Sequence, residues 1–94
     1  MIRHCIGIDL GTSGVRAEVL GPDGSILSDL RQAWPDAGRV PADAAAWWRG
    51  VRALLRDAAA RMPAEPVAVA VDGTSASLLA TDGEGEALGP ALMY

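Results

Sequence analysis

The sequence predicts an α/β domain built on a mixed sheet, in the element order β-β-β-α-β-β-β with one crossover helix. Two apolar runs carry most of that reading, residues 3–9 and 67–71, each closing on an aspartate followed by a Gly/Thr/Ser turn. Between them lie a meander punctuated by glycine and a stretch of helical periodicity. A helical crossover is what allows two such strands to lie parallel, and crossovers of this kind are right-handed.

Each element has its own signal. Residues 3–9 are nearly continuously apolar, the pattern of a strand buried on both faces. Residues 15–20, from Val15 to Leu20, alternate in part and read as a second strand. Gly21-Pro22-Asp23-Gly24 is a turn, and Ser25-Ile26-Leu27 leads a third strand toward Leu30. Pro35, Gly38 and Pro41 mark residues 33–42 as a loop. Asp43 reads as a helix N-cap. Behind it Trp47, Val51, Leu54, Ala58 and Met62 recur at three and four, with Leu55 widening the stripe and Arg49, Arg52 and Arg56 off it. Arg61 suits the C-terminal end of the helix dipole, and Pro63 and Pro66 stop the helix. Val67-Ala68-Val69-Ala70-Val71 is expected to be a strand buried on both faces. Residues 76–81 and 86–92 are expected as two last strands around the Asp82-Gly83-Glu84-Gly85 turn.

The topology brings chemistry together. If the first and fourth strands are parallel neighbours, Asp9 and Asp72 end at one sheet edge, where open α/β sheets bind ligands. A carboxylate offers a hard oxygen to a divalent cation. A Gly/Thr/Ser turn offers N–H and hydroxyl donors to phosphate. Neither Walker-type spacing nor G-x-G-x-x-G occurs, and there is no lysine in the chain. Residue class alone leaves alternatives open. The first turn can be a plain hairpin, Arg16 a strand arginine paired with Glu18, and Asp72 a turn cap.

Composition narrows the class. Ninety-four residues make one small domain, half hydrophobic, with no Phe, so Val, Leu, Ile, Ala and three Trp must fill the core. The net charge of −4 disfavours nucleic acid as a partner. The lone Cys5 is expected as a small buried hydrophobe in a reducing compartment. No run reaches transmembrane length and Met-Ile-Arg-His opens no signal peptide, so a cytoplasmic protein away from membranes is expected.

On these residues the chain resembles the N-terminal part of the FGGY carbohydrate kinases, within the actin, sugar-kinase and heat-shock-chaperone superfamily. Gly7 to Arg16 is similar to that family's first phosphate motif and Asp23-Gly24 to its first hairpin turn. Val71 to Leu79, Asp82-Gly83 and Pro90 to Tyr94 are similar to the segment leading to its sugar site. The resemblance implies a ribonuclease-H-like, actin-like ATPase fold and ATP-dependent phosphorylation of a small sugar, with ATP and Mg2+ as cofactors. It implies that Asp9 holds magnesium through water, that Gly11, Thr12 and Ser13 approach the ATP phosphates, and that Arg16 adds positive charge there. Asp72, Thr74, Ser75 and Ala76 are implied to face the sugar. Many xylulokinase-like members carry Met-His, and glycerol kinases Arg-Glu, where this chain has Ser75-Ala76. The Asp72-x-Thr74-Ser75 pattern is more similar to ribulokinases and to a group of ribulose- or xylulose-kinase-like proteins, so a ketopentose, ribulose or xylulose, is expected over glycerol.

The resemblance places the catalytic base beyond Tyr94, together with the adenosine lobe. Residues 1–94 are thus expected to be an incomplete N-terminal piece of the first kinase domain, lacking the second lobe and inactive alone. Such a piece exposes apolar surface, and a homodimer is one expected outcome. Two other classes stay in view: a non-catalytic binding module that keeps the phosphate turn, and a ribonuclease-H-like nuclease. The nuclease needs a third carboxylate on the helix, where only Asp43 and Asp57 are available.

Overall fold

The computed structural model describes residues 3–36, 39–63, 65, 67–74 and 77–93. Strands β1 (His4–Leu10), β2 (Gly14–Leu20) and β3 (Ile26–Ala33) form an antiparallel meander, helix α1 (Ala44–Ala60) follows, and β4 (Val67–Gly73) returns beside β1. The spatial order is β3-β2-β1-β4, with β4 parallel to β1.

Local chemistry accounts for the boundaries. Gly24, at a φ of 82°, turns the chain between β2 and β3, a conformation that suits glycine. Asp23 steadies that turn by accepting hydrogen bonds from the Ser25 amide and hydroxyl at 3.0 and 2.6 Å, which lower its pKa below the ordinary value. Asp43 caps α1 through its side chain, which accepts from the Ala45 amide at 3.0 Å. The helix ends at Arg61, whose guanidinium bonds Asp57.

The core lies between α1 and one face of the meander. Ile6, Ile8, Val15, Ala17 and Val19 meet Leu54 and Ala58 across that layer, with Trp34 closing one end. Trp47, Val51, Leu55 and Met62 pack at its margin, as the helical stripe predicts. Trp48 departs from the expectation that all three tryptophans are core, being 57% exposed. Position 48 follows the stripe residue Trp47 by about 100° and turns away from the sheet.

Three further expectations are corrected. β4 is not buried on both faces: Val69 and Val71 are 50% and 61% exposed, because α1 packs over β1, β2 and β3 and does not reach β4. In β1, burial alternates and is confined to Ile6 and Ile8, the residues facing the helix; Cys5 is only half-buried. The segments at 76–81 and 86–92 do not form strands among the described residues. They meet through the single bridges Leu78↔Leu92 and Thr81↔Ala87 around the turn in which Gly85 has a φ of 85°. Asp82 holds that turn by accepting from the Glu84 and Glu86 amides at 2.9 and 3.0 Å. The segment docks on the body where the Ala91 amide donates to the Ala42 carbonyl at 2.8 Å, burying Ala91.

Candidate functional site

The parallel pairing of β1 and β4 places Asp9 opposite Asp72 and Leu10 opposite Gly73. Both strands run in the same direction, so both aspartates and the turns after them share one sheet edge. On the other side of β1, Asp9 pairs in register with Arg16 of β2. Strand alternation then groups Gly7, Asp9, Arg16, Glu18, Ala70 and Asp72 on the face away from α1, around an open cavity of about 310 Å³. A second cavity, of about 370 Å³, lies beside Trp47, Val71, Asp72, Gly73 and Thr74. Asp72 borders both.

Electrostatics at the edge are those of two crowded carboxyls. A hydrogen bond with Asp72 raises the pKa of Asp9 above the ordinary 3.8, reduced hydration and the Asp72 charge add to this, and Arg16 opposes it. Arg16 itself is held on the sheet. Its Nε and Nη2 donate to Asp29 Oδ1 and Oδ2 at 3.1 and 3.0 Å, and its Nη2 lies 2.8 Å from Glu18 Oε1. This bidentate clamp lowers the Asp29 pKa, with Arg31 helping at 3.5 Å. The pairing with Glu18 that sequence left open is therefore present, and it coexists with the position of Arg16 next to Asp9.

The first turn is shaped by its neighbours. The Gly11 amide donates to the Gly14 carbonyl at 2.9 Å. Gly14 is required by a close approach: a Cβ there would lie 2.2 Å from the Gln32 carbonyl oxygen and 2.9 Å from Ala33 Cα. Thr12 and Ser13 are exposed at the tip, and Gly11 is half-buried. At the second turn the Thr74 and Ser77 hydroxyls bond each other at 2.7 Å. Ser75 and Ala76 lie outside the described residues.

Donor chemistry at the edge fits magnesium. That ion takes one or two carboxylates and keeps several waters, and Asp9 beside Asp72 offers hard oxygens in a charge-crowded pair that a cation relieves. The third carboxylate that a nuclease needs on the helix is not at this edge. Asp43 caps α1, Asp57 pairs with Arg61, and no group of three metal-ligating side chains occurs among the described residues. Sequence reading missed Asp29 and Trp34. Asp29 had a usable signal, since strand alternation puts it on the same face as Glu18, its register partner. Trp34 stood in a stretch read only as loop.

No known protein-family profile matches the chain. A glycerol kinase of Synechocystis sp. (strain ATCC 27184 / PCC 6803 / Kazusa) is 27% identical over 100 residues, which cover 98% of this chain and 20% of that kinase. Among solved structures, gluconate kinase from Lactobacillus acidophilus superposes with a TM-score of 0.82 at 17% identity, over 98% of this chain and 20% of that one. The ligand-bound xylulose kinase from the same organism gives 0.81 at 17% identity, over 97% and 19%. A xyloylose kinase from Brucella ovis gives 0.78 at 24% identity, over 96% and 20%. The chain therefore has the actin-like ATPase fold found in the N-terminal domain of sugar kinases, and it spans about one fifth of the length of the proteins it matches.

Proposed function

We propose that this chain supplies the first phosphate and metal elements, and part of the sugar site, of an ATP-dependent sugar kinase of the FGGY type. The observation that carries the reading is the register of β1 and β4, which sets Asp9 against Asp72 at the head of two Gly/Thr/Ser turns. The overall likeness to gluconate and xylulose kinases and the glycerol kinase match support it. Because this chain covers a fifth of those proteins, the reading concerns a longer polypeptide that contributes the nucleotide lobe and the catalytic base.

Phosphoryl transfer asks a protein mainly to position groups and to neutralise charge. Asp9 would hold magnesium through water. When bound, the ion neutralises charge on the ATP phosphates. Gly11, Thr12 and Ser13 bring the turn backbone up to those phosphates, with the hydroxyls of Thr12 and Ser13 assisting, while the Gly11 amide stays engaged by the Gly14 carbonyl. Arg16, kept in place by Asp29 and Glu18, adds positive potential from the adjoining strand. Asp72, Thr74, Ser75 and Ala76 would line the sugar side. Asp72 is the natural acceptor for a sugar hydroxyl, being next to Asp9 and bordering both cavities. The Asp72-x-Thr74-Ser75 pattern, more similar to that of ribulokinases, favours a ketopentose, either ribulose or xylulose, over glycerol.

The test is ADP release by the longer protein against D-ribulose, D-xylulose, L-ribulose, gluconate and glycerol. Turnover highest with a ketopentose supports the full reading. A preference for gluconate or glycerol overturns the sugar assignment, and no sugar-dependent release overturns the kinase. Asp9→Ala is expected to lower kcat by about 10²–10³-fold; unchanged turnover would remove the metal role.

A further inference from the structure

We propose that Trp34 is a positioning residue for the phosphate turn, a tertiary clamp that fixes the Gly11–Gly14 backbone from beneath. The proposal rests on the reading of that turn as a phosphate cradle. Trp34 stands just past the end of β3 and is 4% exposed. Its indole Nε1 donates to the Gly11 carbonyl at 2.9 Å, and its own amide donates to the Ser13 carbonyl at 3.1 Å. Two of the four turn residues are thus tied through their carbonyl oxygens to one buried side chain and its backbone, while Thr12 and Ser13 stay exposed at the tip.

The seat of the indole is built by the helix. Gly50 of α1 lies under the ring, and a Cβ at that position would come within 3.3 Å of Trp34 Cζ3 and 3.1 Å of Val15 Cγ2. A methyl group at 50 would press on the ring and on Val15 by a few tenths of an ångström, so glycine there eases the seat from which the indole reaches Gly11. A buried indole N–H usually finds an acceptor. Here the acceptor is a turn carbonyl, so the packing of α1 on the sheet is relayed by a single hydrogen bond to the backbone that faces the ligand. A turn whose amides must meet phosphate oxygens benefits from being rigid before the ligand arrives, since ordering it on binding would cost affinity.

Trp47 provides a matched control. Its Nε1 also donates to a loop carbonyl, that of Pro41 at 2.6 Å, away from the turn. Trp34→Phe and Trp47→Phe each delete one indole donor and keep a large apolar ring. Hydrogen exchange of the Gly11 amide, protected by its bond to the Gly14 carbonyl and read by nuclear magnetic resonance on the full chain, is expected to accelerate about five- to tenfold in Trp34→Phe and to stay at the wild-type rate in Trp47→Phe. Unchanged exchange in Trp34→Phe, or equal acceleration in both variants, overturns the clamp. Should Trp34→Phe lose its helical circular dichroism, replacing Trp34 with benzothienylalanine, which keeps the ring shape without the N–H, supplies the same comparison.

A second arm separates the clamp from the cradle. Magnesium tripolyphosphate is titrated while the amides of residues 11–14 are followed. Shifts in the wild type that weaken about five- to tenfold in Trp34→Phe and persist in Trp47→Phe support the positioning role. If the wild-type turn does not respond at all, the phosphate reading falls and the positioning role with it, whatever the exchange rates show.

Discussion

Asp29 is fastened more tightly than its exposed place on β3 suggests, because both its oxygens accept from Arg16. Its pKa lies below the ordinary 3.8, so the folded state binds this proton less well than the unfolded chain does. The stability it contributes is complete above about pH 4 and is lost as the pH falls through the folded value. Asp29→Asn should therefore flatten the acid limb of a thermal-melting series between pH 5 and 2, and an unaltered acid limb would show that the clamp does not form. Asp9 has the opposite character: the neighbouring Asp72 carboxyl raises its pKa, so relieving the crowding by Asp72→Asn is expected to raise the melting temperature at pH 7. A loss of stability in that variant would mean that Asp72 is held by partners other than Asp9.

At the scale of elements, the sheet and helix meet through few residues, and each matters. Leu54→Ala should cost about 2–5 kcal/mol by denaturant unfolding, since Leu54 is buried among Ile6, Ile8 and Val19 of the core cluster. Gly14→Ala should cost about 1–3 kcal/mol, because backbone at Gln32 and Ala33 has no room to retreat from a methyl group without opening the β2–β3 ladder. An Asp43→Ala variant should lose about 1 kcal/mol with the cap. The reasons these elements were readable differ. The α1 stripe and its cap were plain, since apolar spacing and capping are local properties. So was the parallel placement of Asp9 and Asp72, which a helical crossover between two strands allows. The exposure of β4 was not readable, because an apolar run states only that a strand could be covered. The 76–92 segment misled for a similar reason: short runs flanking a Gly-rich turn suggest a strand pair, yet among the described residues they meet only at the bridges Leu78↔Leu92 and Thr81↔Ala87. The Trp34 contact with Gly11 was invisible because it is tertiary, joining residues 23 positions apart.

Across the whole molecule, one helix covers three strands and leaves the fourth on the rim. No helix among the described residues is long and apolar enough to cross a membrane. The charged side chains of the strands, Asp9, Arg16, Glu18, Asp29, Arg31 and Asp72, share the sheet face opposite α1, so the sheet presents one packed side and one polar side. The candidate site lies on the polar side and at the edge where β1 and β4 end. That arrangement matches a lobe whose ligand approaches from the carboxyl ends of the strands. It also explains why Arg16 requires two carboxylates: on an open face, a lone guanidinium would sample many positions, and a bidentate partner restricts it to one.

The pairing of β1 with β4 has a consequence for how the protein comes together. The meander closes through short turns, whereas Asp9 and Asp72 stand 63 residues apart in the chain and meet only through the crossover. Closing that loop costs entropy before any contact repays it. With β4 exposed over most of its length, little apolar burial offsets that cost. The meander and α1 can therefore assemble first, with the Asp9–Asp72 edge completed last and released first. Protease cleavage within β4 should precede loss of the α1 circular dichroism on warming, and simultaneous loss would refute that order. A ligand that joins Asp9 to Asp72 thereby does more than occupy a site: it fastens the last strand to arrive.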